Sequence, residues 1–397
     1  MALHPSLASA VETARMAEYM AGLYIHIPFC QKKCPYCDFY SITDLSRRES
    51  YIQALMSEME LTRETAHSFD TIYLGGGTPS ILSGREVEKI LMTARTVYRI
   101  HPRAEITMEI NPGTVNAEAL DAYRQAGVNR ISMGIQSFDK QVLKKLGRIH
   151  TAEAAIRSLQ EVFASGFTNV GIDLMYGIPD QRRSDWRADL AQAVGFELDH
   201  ISCYMLSFEP GTLFETERLA GRIDSLPDTV IADMFQLTVA ELALGGYNQY
   251  EISNFARPGR QSRHNVKYWN GSPYLGLGAG AHSFDGFTRS WHFRNIDRYI
   301  QVLADGCLPV SGKERLTRSQ HMLESIYLGL RTTAGIRQRD FERHFGIDFE
   351  ELCGDLIVDL RGQGFVQSGP DRIALTVAGM LFLDSIVGRV ADQIGEI

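Results

Sequence analysis

"GLYIHIPFCQKKCPYCDFYS" (residues 22–41) joins an apolar, β-branched run to three cysteines that fall within eight positions. The run 22–27 reads as a strand buried on both faces. Cys30, Cys34 and Cys37 follow at C-x3-C-x2-C spacing, and Pro28 and Pro35 keep their segment from continuing as helix. A buried strand that empties into a thiol-bearing loop makes that strand end the chemically active edge. The fold then depends on whether more strands of the same kind follow.

They do. Short apolar runs at 70–76, 104–110, 129–135, 168–177 and 200–206 alternate with amphipathic stretches such as 49–66, 151–166 and 184–196. Strands apolar on both faces, each followed by a helix, imply a parallel sheet covered by helices. Six such units fall short of a closed eight-stranded barrel. The fold class is therefore α/β, a partial (β/α)6 TIM-like barrel over 22–210, with a doubly wound open sheet as the alternative. Residues 1–21 form an N-terminal segment. From Gly211 the repeat stops, and 211–312 is an extension with a helix at 228–244 and a Gly-, aromatic- and His-rich stretch. Residues 313–397 read as helices followed by a hairpin at "FVQSG-PDRIALT", a winged-helix-like C-terminal domain.

The totals restrict function. At 397 residues, 44% hydrophobic and 22% charged, the chain can bury more than one core. A net charge of −8 argues against a broad nucleic-acid surface. The acidic residues Glu350, Glu351, Asp355 and Asp359 argue the same for the C-terminal module. No secretory signal pattern stands in the first 21 residues, and no apolar run approaches the ~20 residues that span a bilayer. Six cysteines in so long a chain suit a reducing cytoplasm, where clustered thiols read as metal ligands or redox groups. Cys203, Cys307 and Cys353 are isolated and read as structural. Oligomeric state is open between a monomer and a homodimer.

Three clustered thiols are one too many for a dithiol redox pair and one too few for a closed zinc site. A [4Fe–4S] cluster has four irons, so three thiolates leave one iron able to chelate a small molecule through amino and carboxylate groups. The triplet on the first βα loop resembles that of radical S-adenosylmethionine (SAM) enzymes. The resemblance implies a partial (β/α)6 barrel, a cluster on Cys30, Cys34 and Cys37, and SAM on the open iron.

Polar residues at strand ends carry information in such a barrel. "GGGTPS" (75–80) ends the second run, where glycines allow close backbone approach and exposed amides can meet a carboxylate; the alternative is a tight βα turn. Glu109, Gln136 and Asp173 stand near the ends of the third, fourth and fifth runs, and each could equally be a satisfied core polar group. Arg148 could be a solvated helix-end charge, and Tyr24 and Tyr36 could be core aromatics. "YIHIPFCxxxCxYCDF", "GGGTPS", "EINP", "GIQSF", "LGRIH" and "DLMYGIP" are similar to the group containing oxygen-independent coproporphyrinogen III oxidase. The resemblance implies a SAM site of Tyr24, Tyr36, Gly76, Gly77, Thr78, Glu109, Gln136, Arg148 and Asp173, with a looser backbone contact near Met205.

The oxidases of that group carry a further cysteine where this chain has Phe39. The "CDF" form and the H-N-x-x-Y-W stretch at 264–269 resemble instead the HemW-type heme chaperones, which bind heme and pass it to acceptor hemoproteins; whether the acceptor here is membrane-associated is open. On that resemblance the expected function is heme binding and transfer, with the oxidase as the alternative and a radical SAM methyltransferase or RNA modifier as a more distant one. His264 is the expected axial ligand, with Tyr268 and Trp269 against the porphyrin and Arg263 and Lys267 near its propionates. The alternative for His264 is a hydrogen-bonded structural corner. His282 and His292 are lesser candidates.

Overall fold

The computed structural model describes residues 20–65 and 67–395, so nearly all of the N-terminal segment expected at 1–21 lies outside the described residues. The six runs become β1 (Ala21–Ile27), β2 (Ser68–Gly76), β3 (Arg99–Ile110), β4 (Arg130–Gln136), β5 (Val170–Tyr176) and β6 (His200–Met205). They lie side by side in chain order and pair in parallel. Helices return the chain between them, and several are started by side-chain caps. Ser83 and Glu86 form a capping box, and Asn116, Asp139 and Thr151 each accept from a first-turn amide.

Alternation along the strands sorts the side chains. In β1, Leu23, Ile25 and Ile27 are fully buried beneath the helices. Gly22, Tyr24 and His26 point the other way, into the curve of the sheet. That concave face is polar and aromatic rather than aliphatic. It holds Thr71 and Tyr73, Glu105 and Glu109, Arg130 and Ser132, Asp173 and His200 at alternating positions of their strands.

The extension does not form a layer of its own; its strands lengthen the same sheet at both edges. β7 (Asn248–Glu251) and β8 (Asn254–Ala256) add antiparallel to β6. β9 (Tyr274–Leu277) pairs in parallel with β1, and β10 (His282–Phe284), β11 (Thr288–His292) and β12 (Val310–Arg315) continue outward in antiparallel order. Among the described residues the sheet has twelve strands. The outer strands are tied back by Glu58 of the helix Arg48–Leu61, a side chain that is fully buried. It accepts from the Gly278 amide at 2.8 Å and from the Tyr299 hydroxyl, and faces His292 Nδ1 at 3.2 Å.

The C-terminal helices Arg318–Arg331, Gln338–Phe345 and Phe349–Gly362 pack with a three-stranded sheet that includes the hairpin Val366–Gly369 and Arg372–Leu375. A buried ion pair joins this part to the barrel, with Arg331 Nε 2.8 Å from Glu251 Oε2. Among the described residues no helix is long and apolar enough to cross a membrane.

Candidate functional site

The cysteine loop leaves β1 and is held open by backbone. Cys30 N donates to Ile42 O (2.9 Å) and Ile42 N donates to Pro28 O (2.7 Å), so the loop closes on itself at its base. Pro35 packs against Gly147, where φ is +66° and a Cβ would lie 2.8 Å from the proline ring. The extension supports the loop too: Phe214 N donates to Pro35 O at 3.0 Å, and the Phe214 ring lies 6.2 Å from that of Tyr36.

All three thiols are free and partly exposed. Burial, reinforced by Cys34 and Cys30, pushes the Cys37 thiol up to about 11, so a metal arriving at neutral pH must displace its proton. Among the described residues no three His, Cys, Asp or Glu side chains converge as a lone metal ion requires. Thiols at separate corners of a multi-iron cluster need no such convergence.

A chain of side chains brackets the thiols. Thr78 Oγ1 approaches Cys30 Sγ at 3.5 Å and accepts from Asn111 Nδ2 at 2.8 Å. Asn111 Oδ1 accepts from Arg148 Nη2 at 2.5 Å, and Arg148 Nη1 lies 3.6 Å from Cys34 Sγ. Arg148 Nη2 also donates to Gly134 O at 2.7 Å. Above Gly134 the side chains of Asn111, Gln136 and Arg148 meet, within 3.5 Å of where a Cβ would stand. Gln136 itself has φ +71°, an uncommon backbone state for a non-glycine residue, at a register shift between β4 and β5. A groove lined by Lys32, Cys34, Thr78, Asn111, Arg148 and His150 opens beside the bracket.

The glycine segment acts differently from its sequence reading. The amides of Gly76, Gly77 and Thr78 already donate, to Glu109 Oε2 (3.1 Å), Ile27 O (2.9 Å) and Phe29 O (2.7 Å). They are therefore not open to a ligand carboxylate. Their work is to press Thr78 against the cysteine loop. Gly76, with φ +111°, also clears the His26 ring, which would be 2.5 Å from a Cβ.

The remaining expected residues line the concave face below. Glu109 Oε1 accepts from Tyr73 OH at 2.8 Å, and burial with the nearby Asp173 charge raises the Glu109 carboxyl to about 7. Asp173, also raised by burial, is reached by Ser132 Oγ at 3.4 Å. Tyr24 OH lies 3.0 Å from His26 Nδ1, and His26 Nε2 lies 2.8 Å from Tyr40 O. A carbonyl only accepts, so Nε2 carries the proton and Nδ1 accepts from Tyr24. Burial lowers His26 to about 4, which keeps that ring neutral. His26 and Asn111 were not among the expected site residues. The placement of His26 on a strand hid its inward face, and a lone asparagine in "EINP" has no spacing signal. Met205, at the end of β6, is half exposed.

His264 stands at the other end of the barrel. Its Nδ1 lies 2.8 Å from Thr71 Oγ1 and its Nε2 lies 2.9 Å from Tyr268 OH, and the residue is 1% exposed. Thr71 precedes Gly76 by five residues, so the imidazole is roughly 16 Å along the strand from the cysteine end. The helix Arg263–Trp269 plugs the barrel floor, and the amides of Arg263 and His264 donate to Glu105. Arg263 and Lys267 both pair with Asp70 (2.9 and 2.7 Å), and Trp269 stacks under Arg331, 4.5 Å from ring centroid to guanidinium carbon. The His264 ring is thus bonded at both nitrogens and screened from solvent, as a hydrogen-bonded structural corner would be, and Arg263 and Lys267 are paired with Asp70. His292 is likewise buried, with Nδ1 shared between Gly278 O and Glu58.

Residues 24–193 match the family model "Radical SAM superfamily", and residues 316–382 match "HemN C-terminal domain". A protein of Bacillus subtilis (strain 168) named heme chaperone HemW is 34% identical over 379 residues, covering 94% of this chain and 100% of that one. The heme chaperone HemW of Escherichia coli (strain K12) is 35% identical, covering 92% and 97%. That of Synechocystis sp. is 38% identical over 79% of this chain and 78% of its own. The solved structure of Escherichia coli coproporphyrinogen III oxidase (HemN), described as a radical SAM enzyme, superposes with a TM-score of 0.81. It is 24% identical and covers 96% of this chain and 93% of its own, a likeness of fold.

Proposed function

Because the chain belongs to the radical SAM superfamily and, within it, to the family of heme chaperones named HemW, we propose that it binds heme and hands it to acceptor hemoproteins while carrying a [4Fe–4S] cluster and SAM. The observation that carries the cofactor part is the bracket Thr78–Asn111–Arg148 around three free thiols. It places a hydroxyl and a guanidinium beside two of the sulfurs and leaves the groove next to them lined by polar groups. Cys30, Cys34 and Cys37 would hold three irons, and Tyr24, Tyr36, Gly76, Gly77, Thr78, Glu109, Gln136, Arg148 and Asp173 would surround the nucleotide. When bound, cluster and sulfonium nucleotide supply one-electron chemistry.

The chain's own residues do the positioning. Arg148 offers positive charge next to Cys34, which would offset the negative charge of a cluster held there. Tyr24, oriented by a neutral His26, presents its ring inside the barrel. Phe39, in the position where the oxidases of the group have another cysteine, is 65% exposed and offers no ligand. Six unpaired cysteines support a reducing, cytoplasmic setting.

The test is a pair of assays on anaerobically reconstituted protein. Stoichiometric heme uptake and its passage to an apo-hemoprotein support the proposal. Turnover of coproporphyrinogen III with SAM and reductant would replace it with the oxidase reading.

A further inference from the structure

The proposed cargo needs an accessible imidazole, a flat apolar face and a cation for its propionates, and the barrel floor supplies none of these in free form. The outer strands do. His282, first residue of β10, is exposed, and among the described residues no protein group bonds its ring nitrogens. Its ring stacks on Trp291, its cross-strand partner in β11, with centroids 6.1 Å apart and planes 27° apart. The strands on either side carry glycine at the matching height. Gly276 lies against the His282 backbone, where a Cβ would be 2.0 Å from its carbonyl oxygen, and Gly312 lies under Trp291, where a Cβ would be 2.5 Å from the indole. With no side chains there, the stacked histidine and tryptophan rings stand uncovered by their neighbours and form a shelf.

Arg294 borders the shelf and connects it to the cysteine loop. Its Nη2 donates to Asp38 O and lies 3.4 Å from Asp38 Oδ1, one residue beyond Cys37. Both side chains are about half exposed (55% and 53%), so the carboxylate contact is weak and a propionate can replace it. Arg289, also near the shelf, is paired with Glu324 of the C-terminal domain. The turn before β10 rests on the same loop, with Gly280 close against the Tyr40 ring. Phe39, next to Tyr40 in the chain, is an exposed apolar side chain. Partial burial of the ring, one face of which is covered by Trp291, together with the nearby Arg294, His292 and Arg289, lowers the His282 pKa, which leaves a neutral imidazole with a lone pair at physiological pH.

We propose that heme is held on this shelf, with His282 as axial ligand, the edge of the Trp291 indole against the macrocycle and Arg294 at a propionate. The site rests on the heme-carrier reading above and adds where the cargo sits, beside the cysteine loop rather than on the barrel floor.

The test titrates hemin into reconstituted wild-type protein, His282→Ala, His282→Cys and His264→Ala, following the Soret band and the stoichiometry, with iron–sulfur content as the check on folding. The expected result is one heme per wild-type chain, at least tenfold weaker binding by His282→Ala, and a thiolate-type Soret band for His282→Cys. His264→Ala keeps the wild-type band position. Wild-type binding with an unchanged band and affinity in both His282 variants overturns the shelf and leaves the carrier reading standing. Failure of the wild type itself to take up heme removes that reading, and the shelf with it.

Discussion

Asn111 joins the two ends of the cysteine site: its amide donates to Thr78 Oγ1 and its carbonyl oxygen accepts from Arg148 Nη2 at 2.5 Å. Thr78 touches Cys30 and Arg148 touches Cys34, so one asparagine sets the spacing of the groups that flank two thiols. A hydrogen bond to a charged partner is worth about 1.5–3 kcal/mol. Asn111→Ala is expected to weaken SAM binding by roughly tenfold or more while the iron content of the reconstituted protein stays near wild type. Unchanged SAM affinity, measured by equilibrium binding at matched cluster content, would remove Asn111 from this role.

The cysteines divide into two sets. Cys30→Ala, Cys34→Ala and Cys37→Ala are each expected to abolish a four-iron centre on reconstitution. Cys203→Ala, Cys307→Ala and Cys353→Ala should retain it, since Cys203 and Cys353 are buried and Cys307 stands apart on the surface. Iron and sulfide analysis with Mössbauer spectra reads the outcome, and a full cluster in any first-set variant contradicts the ligand assignment.

Glu109 predicts a pH dependence. Its carboxyl is raised from 4.5 to about 7 in the folded protein. Between those values the folded chain keeps a proton that the unfolded chain has lost, so stability falls as pH rises through this window and levels off above it. The loss is at most about 3 kcal/mol. Glu109→Gln should flatten the denaturation midpoint between pH 4.5 and 7; an unaltered slope would locate the effect elsewhere.

His264 is expected to matter for stability. Its truncation removes two hydrogen bonds and the stacking contact with Tyr73, whose ring centroid is 5.1 Å away. His264→Ala should cost about 3 kcal/mol in urea denaturation. A loss below ~1 kcal/mol would mean that the barrel floor does not depend on this ring.

The Glu251–Arg331 pair supplies the last prediction. Glu251 is fully buried, and Arg331 also covers Trp269. Arg331→Ala strands a buried carboxylate and should destabilise by roughly 3–5 kcal/mol, with Glu251→Gln on the same chain restoring part of it. Additive losses in the double variant would show that the two side chains do not act as a pair.

Local pattern was sufficient for much of this molecule. Apolar runs of strand length, each followed by a helical period, place β1 to β6 because burial on both faces demands that composition. The cysteine triplet is legible because its three thiols sit on one short loop. The hairpin at 366–375 is readable for the same reason. Tertiary structure decided what depends on register between distant segments. Sequence offers no sign that β9 would pair with β1 and β8 with β6, since those contacts are long-range backbone pairings without a side-chain signature. Nor does it show that Asn111 bridges Thr78 and Arg148, or that the helix bearing His264 closes the barrel floor. The H-N-x-x-Y-W stretch looked like a ligand site because histidine and aromatics suit heme. Curling the sheet turned the same residues inward, where a buried imidazole must have both nitrogens bonded, and left His282 on an outer strand, stacked on Trp291 and open to solvent on its other side.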